Sequence, residues 1–242
     1  MKVSVVTVTL DAERWVGDAL ASVAMQRGVE VESVLVDGGS TDATVEVALA
    51  VPGLRPKVLR GADGGIYDAM NKGLAVASGE ALFFLNADDR LADPDALAAL
   101  AGRLEQRDAA LAFGDILVVD PDGDRLRSHR HVSGPRLGHE SLSHQAVLAR
   151  RRCFDVVGGF DTRWRICADL DWFMRCADAG LRLAHLPRLV CRCMTGGAST
   201  RQYALQLQEV RALIARRQPP WQRWPLRLGA GWRRRLRQAL DR

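Results

Sequence analysis

Three groups of acidic residues fall where strands should end or helices begin: Asp37 after VESVLV, Asn86-Ala87-Asp88-Asp89 after ALFFL, and Asp169-Leu170-Asp171 at a helix start. Paired carboxylates directly after a buried apolar strand suit a hard divalent cation, Mg2+ or Mn2+. One or two carboxylates would hold it together with the oxygens of a diphosphate. A carboxylate at a helix N-terminus stays ionised and can take a proton from a hydroxyl within hydrogen-bond reach. Asp37 can accept a base N–H or a ribose hydroxyl. Helix capping and turn formation compete for the same residue type, with Asp93 a rival cap to Asp88 and Asp89, and Asp171 a rival to Asp169.

The elements that must carry these groups follow from hydrophobic pattern and turn chemistry. Residues 2–9, KVSVVTVT, read as a buried strand, followed by Asp11 as an N-cap and a helix with Trp15, Ala19, Leu20 and Val23 on one face. A second strand over 31–36 ends at Asp37, the turn 38–41 follows, and Asp42 caps a helix through Ala50. A strand near 57–60, a helix from Ile66 to Ala77, a strand from Ala81 to Leu85 and a helix from Pro94 to about Arg107 continue the alternation. Such alternation implies an α/β fold with a mostly parallel, Rossmann-like sheet flanked by helices, with ligands at the carboxyl ends of the strands. Asp37 and the Asp88 cluster should then face one crevice.

Beyond residue 110 the pattern changes. Residues 110–119 and 124–132 read as an antiparallel pair around Asp120-Pro121-Asp122-Gly123. A loop over 133–144, a turn at 158–161, a helix from Asp169 to Ala179, a strand over 181–191 and a helix from Ser199 to Arg217 complete this smaller portion. Pro219 and Pro220 stop the last helix. The domain is therefore 1–217, with a tail over 218–242.

Of the 242 residues, 48% are hydrophobic and 26% charged, the balance of a chain that buries a core. Disorder, collagen and coiled coil are excluded. No run reaches the roughly 18 uncharged apolar residues of a membrane span. Asp11, Glu13 and Arg14 interrupt the apolar opening before it could act as a signal peptide, so a cytoplasmic protein is expected. Five cysteines without a CxxC pair read as reduced core thiols. The net charge of +5 is concentrated in the tail: nine arginines and Asp241 between Arg216 and Arg242 give +8, leaving −3 for residues 1–215.

The usual nucleotide-binding fingerprints are missing. No GxGxxG follows the first strand and no GxxxxGK[ST] occurs. VDGGSTD lacks the second acid of a phosphatase loop, and the Gly-rich opening of a sugar nucleotidyltransferase is absent.

Seven segments in order, SVVTVTLDAE, VDGGSTDAT, ADGGIYDAMNKGLAVASGE, FFLNADD, SHQAVLARR, GGFD and CADLDW, resemble the inverting glycosyltransferases of family 2. The likeness spans roughly residues 2–200 and lies nearest the bacterial enzymes of exopolysaccharide, colanic-acid-like and O-antigen assembly. It implies a GT-A fold with a small antiparallel acceptor-side portion, and a nucleoside-diphosphate sugar as donor. The acceptor it implies is a glycan, lipid-linked, in cell-surface polysaccharide biosynthesis.

Carried over residue by residue, the resemblance makes Thr9, Glu13 and Asp37 the border of the nucleobase and ribose. Asp63, Asn71 and Lys72 fall on the donor side, Asn86 or Asp88 toward the ribose, and Asp88 or Asp89 on the metal. Asp169 becomes the base, and His144 belongs to the acceptor side. Relatives often carry Arg where Met70 stands, which leaves Lys72 as the candidate cation near the diphosphate. His129, His131 and His139 show no metal-ligand spacing and read as surface groups. Trp172 reads as core and Trp164 as a surface able to stack on sugar.

In the tail, Leu228, Trp232, Leu236 and Leu240 recur every four residues, with Trp221 and Trp224 before them. This pattern is expected to lie on an anionic membrane surface, or to pack on protein. A rival class is a non-catalytic sugar-nucleotide-binding regulator whose basic tail binds nucleic acid. The acidic cluster, the Asp in the base position and the periodic apolar residues of the tail argue against it, so no nucleic acid is expected.

Overall fold

The computed structural model describes residues 1–140, 142–196 and 202–217. The tail over 218–242, with its expected amphipathic face, lies outside the described residues, as does Ser199 at the expected start of the last helix. Among the described residues, no helix is long and apolar enough to cross a membrane.

The first half is built as the sequence pattern requires. Strands β1 (Lys2–Thr9), β2 (Glu30–Asp37), β3 (Lys57–Arg60) and β4 (Ala81–Asn86) lie side by side, all parallel, in the order β3-β2-β1-β4. Their β-branched and aromatic residues alternate between two cores. Val3, Val5, Leu35, Phe83 and Leu85 face helices α1 (Val16–Ala24) and α4 (Ala96–Gln106). Val6, Val8, Val34, Val36, Leu82 and Phe84 face α3 (Ile66–Val76). The short α2 (Thr44–Leu49) follows β2. Phe83 is fully buried, and its truncation to Ala would cost about 3–5 kcal/mol. Gly73 lets α3 approach the sheet, because a Cβ there would stand 2.3 Å from Val6 Cγ1.

The second half adds antiparallel pairing. Strand β8 (Val147–Arg150) runs antiparallel to β4 and to β6 (Leu111–Val119), while β9 (Leu183–Met194) runs parallel to β6. The two-residue β5 (Arg90–Leu91) closes that edge against β9, and β7 (Arg125–Arg127) pairs with β6. Helices α5 (Arg151–Val157), α6 (Ala168–Asp178) and α7 (Tyr203–Arg217) cover the second core. There Trp172 is buried and stacks on Phe154 at 4.4 Å. All five cysteines are buried and unpaired.

Several local expectations change. Asp11 does not cap α1: it takes a left-handed φ of 46° and accepts the Thr41 N–H at 2.9 Å, and α1 begins only after Trp15. The strand expected over 124–132 stops at Arg127, because the Asp115 carboxylate accepts the His129 N–H at 2.8 Å and draws the chain inward. His129 is therefore buried at 1% exposure rather than on the surface, with its Nδ1 2.6 Å from Gly114 O. Strand β9 runs past residue 191 to Met194, which carries its end to the acidic pair at the end of β4.

Candidate active site

The carboxyl ends of β1 and β4, the start of α3, the strands β6 and β7 and the start of α6 enclose a cleft of about 580 Å³. Asp63, Asn86, Asp88, Asp89, His144 and Asp169 all line it, as does Thr9. The parallel arrangement of β1 and β4 brings the first of these together, as expected of strand ends in an open α/β sheet.

Asp88 is half-buried and Asp89 is buried at 1% exposure. Asp89 Oδ2 accepts from Gln145 Nε2 at 2.9 Å and Oδ1 from the Met194 N–H at 3.1 Å. Burial first and then the neighbouring Asp88 push the Asp89 carboxyl up to about 7, against the opposing pull of Gln145, His144 and the Met194 N–H. Two acids pressed together in a partly dry cleft repel, and a divalent cation would relieve that repulsion. Among the described residues, no three His, Cys, Asp or Glu side chains gather to hold a metal by themselves. A hard cation here would need further oxygens from a ligand, as a diphosphate-bound Mg2+ or Mn2+ does.

The third acid has a different setting. Asp169 stands in the first turn of α6 with its side chain 16% exposed. Its Oδ1 is met by the Leu170 N–H at 2.8 Å and by the Tyr67 hydroxyl at 3.0 Å, and its Oδ2 by His144 Nδ1 at 3.2 Å. The other ring nitrogen of His144 lies 3.2 Å from Asn86 Oδ1, so one imidazole ties the acid of α6 to the end of β4. The rival Asp171 does not line the cleft. It is buried and paired with Arg175 Nε at 2.8 Å, one helical turn on.

The remaining donor-side residues separate into lining and framework. Asp37 is fully buried: Thr9 Oγ1 donates to it at 3.2 Å, the Ser40 N–H at 3.0 Å and the Ser40 hydroxyl also donate, and Arg60 Nε lies 3.4 Å away. It holds the turn beneath Thr9 and is not itself a cleft wall. Glu13 is exposed and accepts the Ala43 N–H at 3.0 Å. Asn71 clamps α3 to the 158–161 turn, donating to Phe160 O and accepting the Phe160 N–H, each at 2.8 Å. Lys72 is turned away, donating to Ala62 O at 2.8 Å and pairing with Asp68 at 3.0 Å. Among the described residues, the guanidinium groups that line the cleft are those of Arg127 from β7 and Arg165 before α6.

Sequence reasoning missed Tyr67, Gln145, Arg127, Arg165 and Glu209. Glu209 reaches from α7 to accept the N–H groups of Arg165, Ile166 and Cys167 at 2.8–2.9 Å, fixing the approach to Asp169. The lone acid of a helix, YALQLQEVRALIARR, whose other charged residues are all arginines is the signal that could have found it.

The mostly parallel sheet with its flanking helices is the GT-A fold. The chain belongs to glycosyl transferase family 2, whose profile matches residues 4–166. A PGL/p-HBAD biosynthesis glycosyltransferase of Mycobacterium tuberculosis is 36% identical over 185 residues, covering 72% of this chain and 68% of that protein. In fold the chain is similar to S. aureus TarS 1–349 in complex with UDP-GlcNAc, at TM-score 0.71 and 21% identity over 88% of this chain and 66% of that one. The mannosyltransferase PcManGT from Pyrobaculum calidifontis, in complex with GDP-Man and Mn2+, matches with TM-score 0.69 at 19% identity, over 88% of this chain and 63% of that one. The chain thus spans about two thirds of the length of these solved relatives.

Proposed function

We propose that this chain is a metal-dependent, inverting hexosyltransferase that moves one sugar from a nucleoside-diphosphate carrier to a glycan acceptor in the assembly of a cell-surface glycoconjugate. The observation that carries this reading is the pairing of two unlike acid sites in one cleft: Asp88 and Asp89 at the end of β4, and Asp169 across from them, joined through Asn86 and His144.

Asp88 and Asp89 would hold the divalent cation, which would offset negative charge on a diphosphate leaving group. Asp169 takes the proton of the acceptor hydroxyl as its oxygen attacks the anomeric carbon from the face opposite the diphosphate. No covalent link to the enzyme is formed. Arg127 and Arg165 supply the positive charge that Lys72, held outside the cleft, does not. Thr9 and Asp63 border the nucleoside, with Asp37 acting through Thr9. His144 orients Asp169 on the acceptor side.

A lipid-linked acceptor is the reading for a body with this cleft and a tail of basic and tryptophan residues, which would hold the enzyme on the inner face of a membrane. Vesicle co-sedimentation of the full chain and of a chain ending at Gln218 tests it. Loss of salt-sensitive binding to anionic lipid on truncation supports the reading, and equal behaviour of the two chains contradicts it.

The transferase reading is tested with a panel of UDP-, GDP- and dTDP-sugars. Cation-dependent release of nucleoside diphosphate from one of them is expected, and no release across the panel would return the chain to a binding role.

A further inference from the structure

Tyr67 sits in the first turn of α3 with its ring buried at 5% exposure against Phe160, and its hydroxyl reaches two oxygens of the segment that carries the base. Ile166 O lies at 2.8 Å and Asp169 Oδ1 at 3.0 Å. A phenol has one proton to donate, and a carbonyl oxygen can only accept. Burial and the nearby Asp169 hold the Tyr67 proton far more tightly than usual, so the hydroxyl remains a donor.

Resting on the reading of Asp169 as base, we propose that Tyr67 is a positioning residue whose hydroxyl follows the state of that base. While Asp169 is ionised, Tyr67 donates to Oδ1. Together with the Leu170 N–H it occupies that oxygen and leaves Oδ2 as the less saturated one for the incoming proton. When the proton has passed from the acceptor hydroxyl to Asp169 Oδ2, the carboxyl is neutral and the Tyr67 O–H turns from Oδ1 to Ile166 O. Tyr67 keeps its own proton throughout. Because Tyr67 follows Gly65, whose N–H is bound by Asp63 at 2.9 Å, the same helix start fixes the donor-side wall and the base. The other titratable groups facing Asp169 are His144, from the turn before β8, and Cys167, ahead of α6.

The test is Tyr67→Phe in the full chain, which removes one oxygen and keeps the ring. A hydrogen bond to a charged group is worth enough that kcat should fall roughly tenfold to a hundredfold. The donor KM should stay near that of the parent. Loss of a donor to the carboxylate should move the acid limb of the kcat profile to higher pH. In an Asp169→Asn background, Tyr67→Phe should cost little more, since the partner is already altered. Parental kcat and pH profile in Tyr67→Phe, or full additivity with Asp169→Asn, would overturn the proposal. So would a loss of nucleoside diphosphate binding and of melting temperature that accounts for the fall in kcat. Parental transfer by Asp169→Asn alone would instead remove the base reading, and this proposal with it; a strong loss of transfer in Asp169→Asn beside an unaffected Tyr67→Phe removes only the role of Tyr67.

Discussion

The acids at the end of β4 and the acid at the start of α6 sit in one cleft, yet their surroundings differ. Asp89 is shut away from water beside a like charge, and its carboxyl rises to about 7. Asp169 stands at a helix N-terminus and is met on its two oxygens by the Leu170 N–H, the Tyr67 hydroxyl and His144. On the proposed reading the pair shares its charge with a cation and the single acid takes the proton of the acceptor. In that reading environment, not residue type, divides the labour among three aspartates.

The comparison is broken most severely at α6. Asp169→Asn keeps the size of the side chain and removes the base, so transfer should fall by about 10²–10⁴-fold in a steady-state assay while nucleoside diphosphate still binds. Equal loss of binding would give Asp169 a structural task instead.

A smaller effect sharpens the description of the pair. The folded Asp89 carboxyl, at about 7, holds a proton that the unfolded chain, near its ordinary value of about 3.9, has already released. Its contribution to stability is fully present below about pH 4 and is lost as the pH rises through about 7. The melting temperature of the parent should therefore decline across that window by more than that of Asp89→Asn. Parallel curves for the two proteins would show that Asp89 is not raised.

Much of the donor half was legible in the sequence because its information is local. Unbroken β-branched strands, the glycines after Asp37 and the acids after ALFFL read directly as strand, turn and strand end. The place of Asp169 was legible for the same reason, as an acid opening an amphipathic helix, while its proposed role came from the family resemblance. What the local pattern could not carry are partners distant in the chain. Tyr67 meets Asp169 across 102 residues, Gln145 meets Asp89 across 56, and Glu209 meets Arg165 across 44. Asp37 illustrates a second limit. The same residue after a strand can face a ligand or close a turn, and here Ser40, three residues on, takes both of its oxygens. The strand beyond Arg127 failed because an Asp115 side chain competes with the ladder for the His129 N–H.

That distinction between framework and wall is itself testable, with weaker effects. Asn71→Ala leaves the Phe160 N–H and carbonyl without their partner and should cost about 1–3 kcal/mol in chemical denaturation. The donor affinity of the folded protein should be unchanged. Lys72→Ala, which removes a partly exposed ion pair and a carbonyl contact outside the cleft, should alter stability by no more than about 0.5 kcal/mol. Donor KM should stay within about twofold, since the change in binding should be no larger. A large rise in donor KM for either variant would return that residue to the donor site.

The division between the two acid sites is tested most directly by calorimetric titration of nucleoside diphosphate into the parent, Asp88→Asn and Asp169→Asn, each with and without Mn2+. The parent and Asp169→Asn should bind alike and gain affinity when the cation is present. Asp88→Asn should lose most of that gain, roughly tenfold or more in Kd. Cation-dependent binding that survives in Asp88→Asn and disappears in Asp169→Asn would contradict the account.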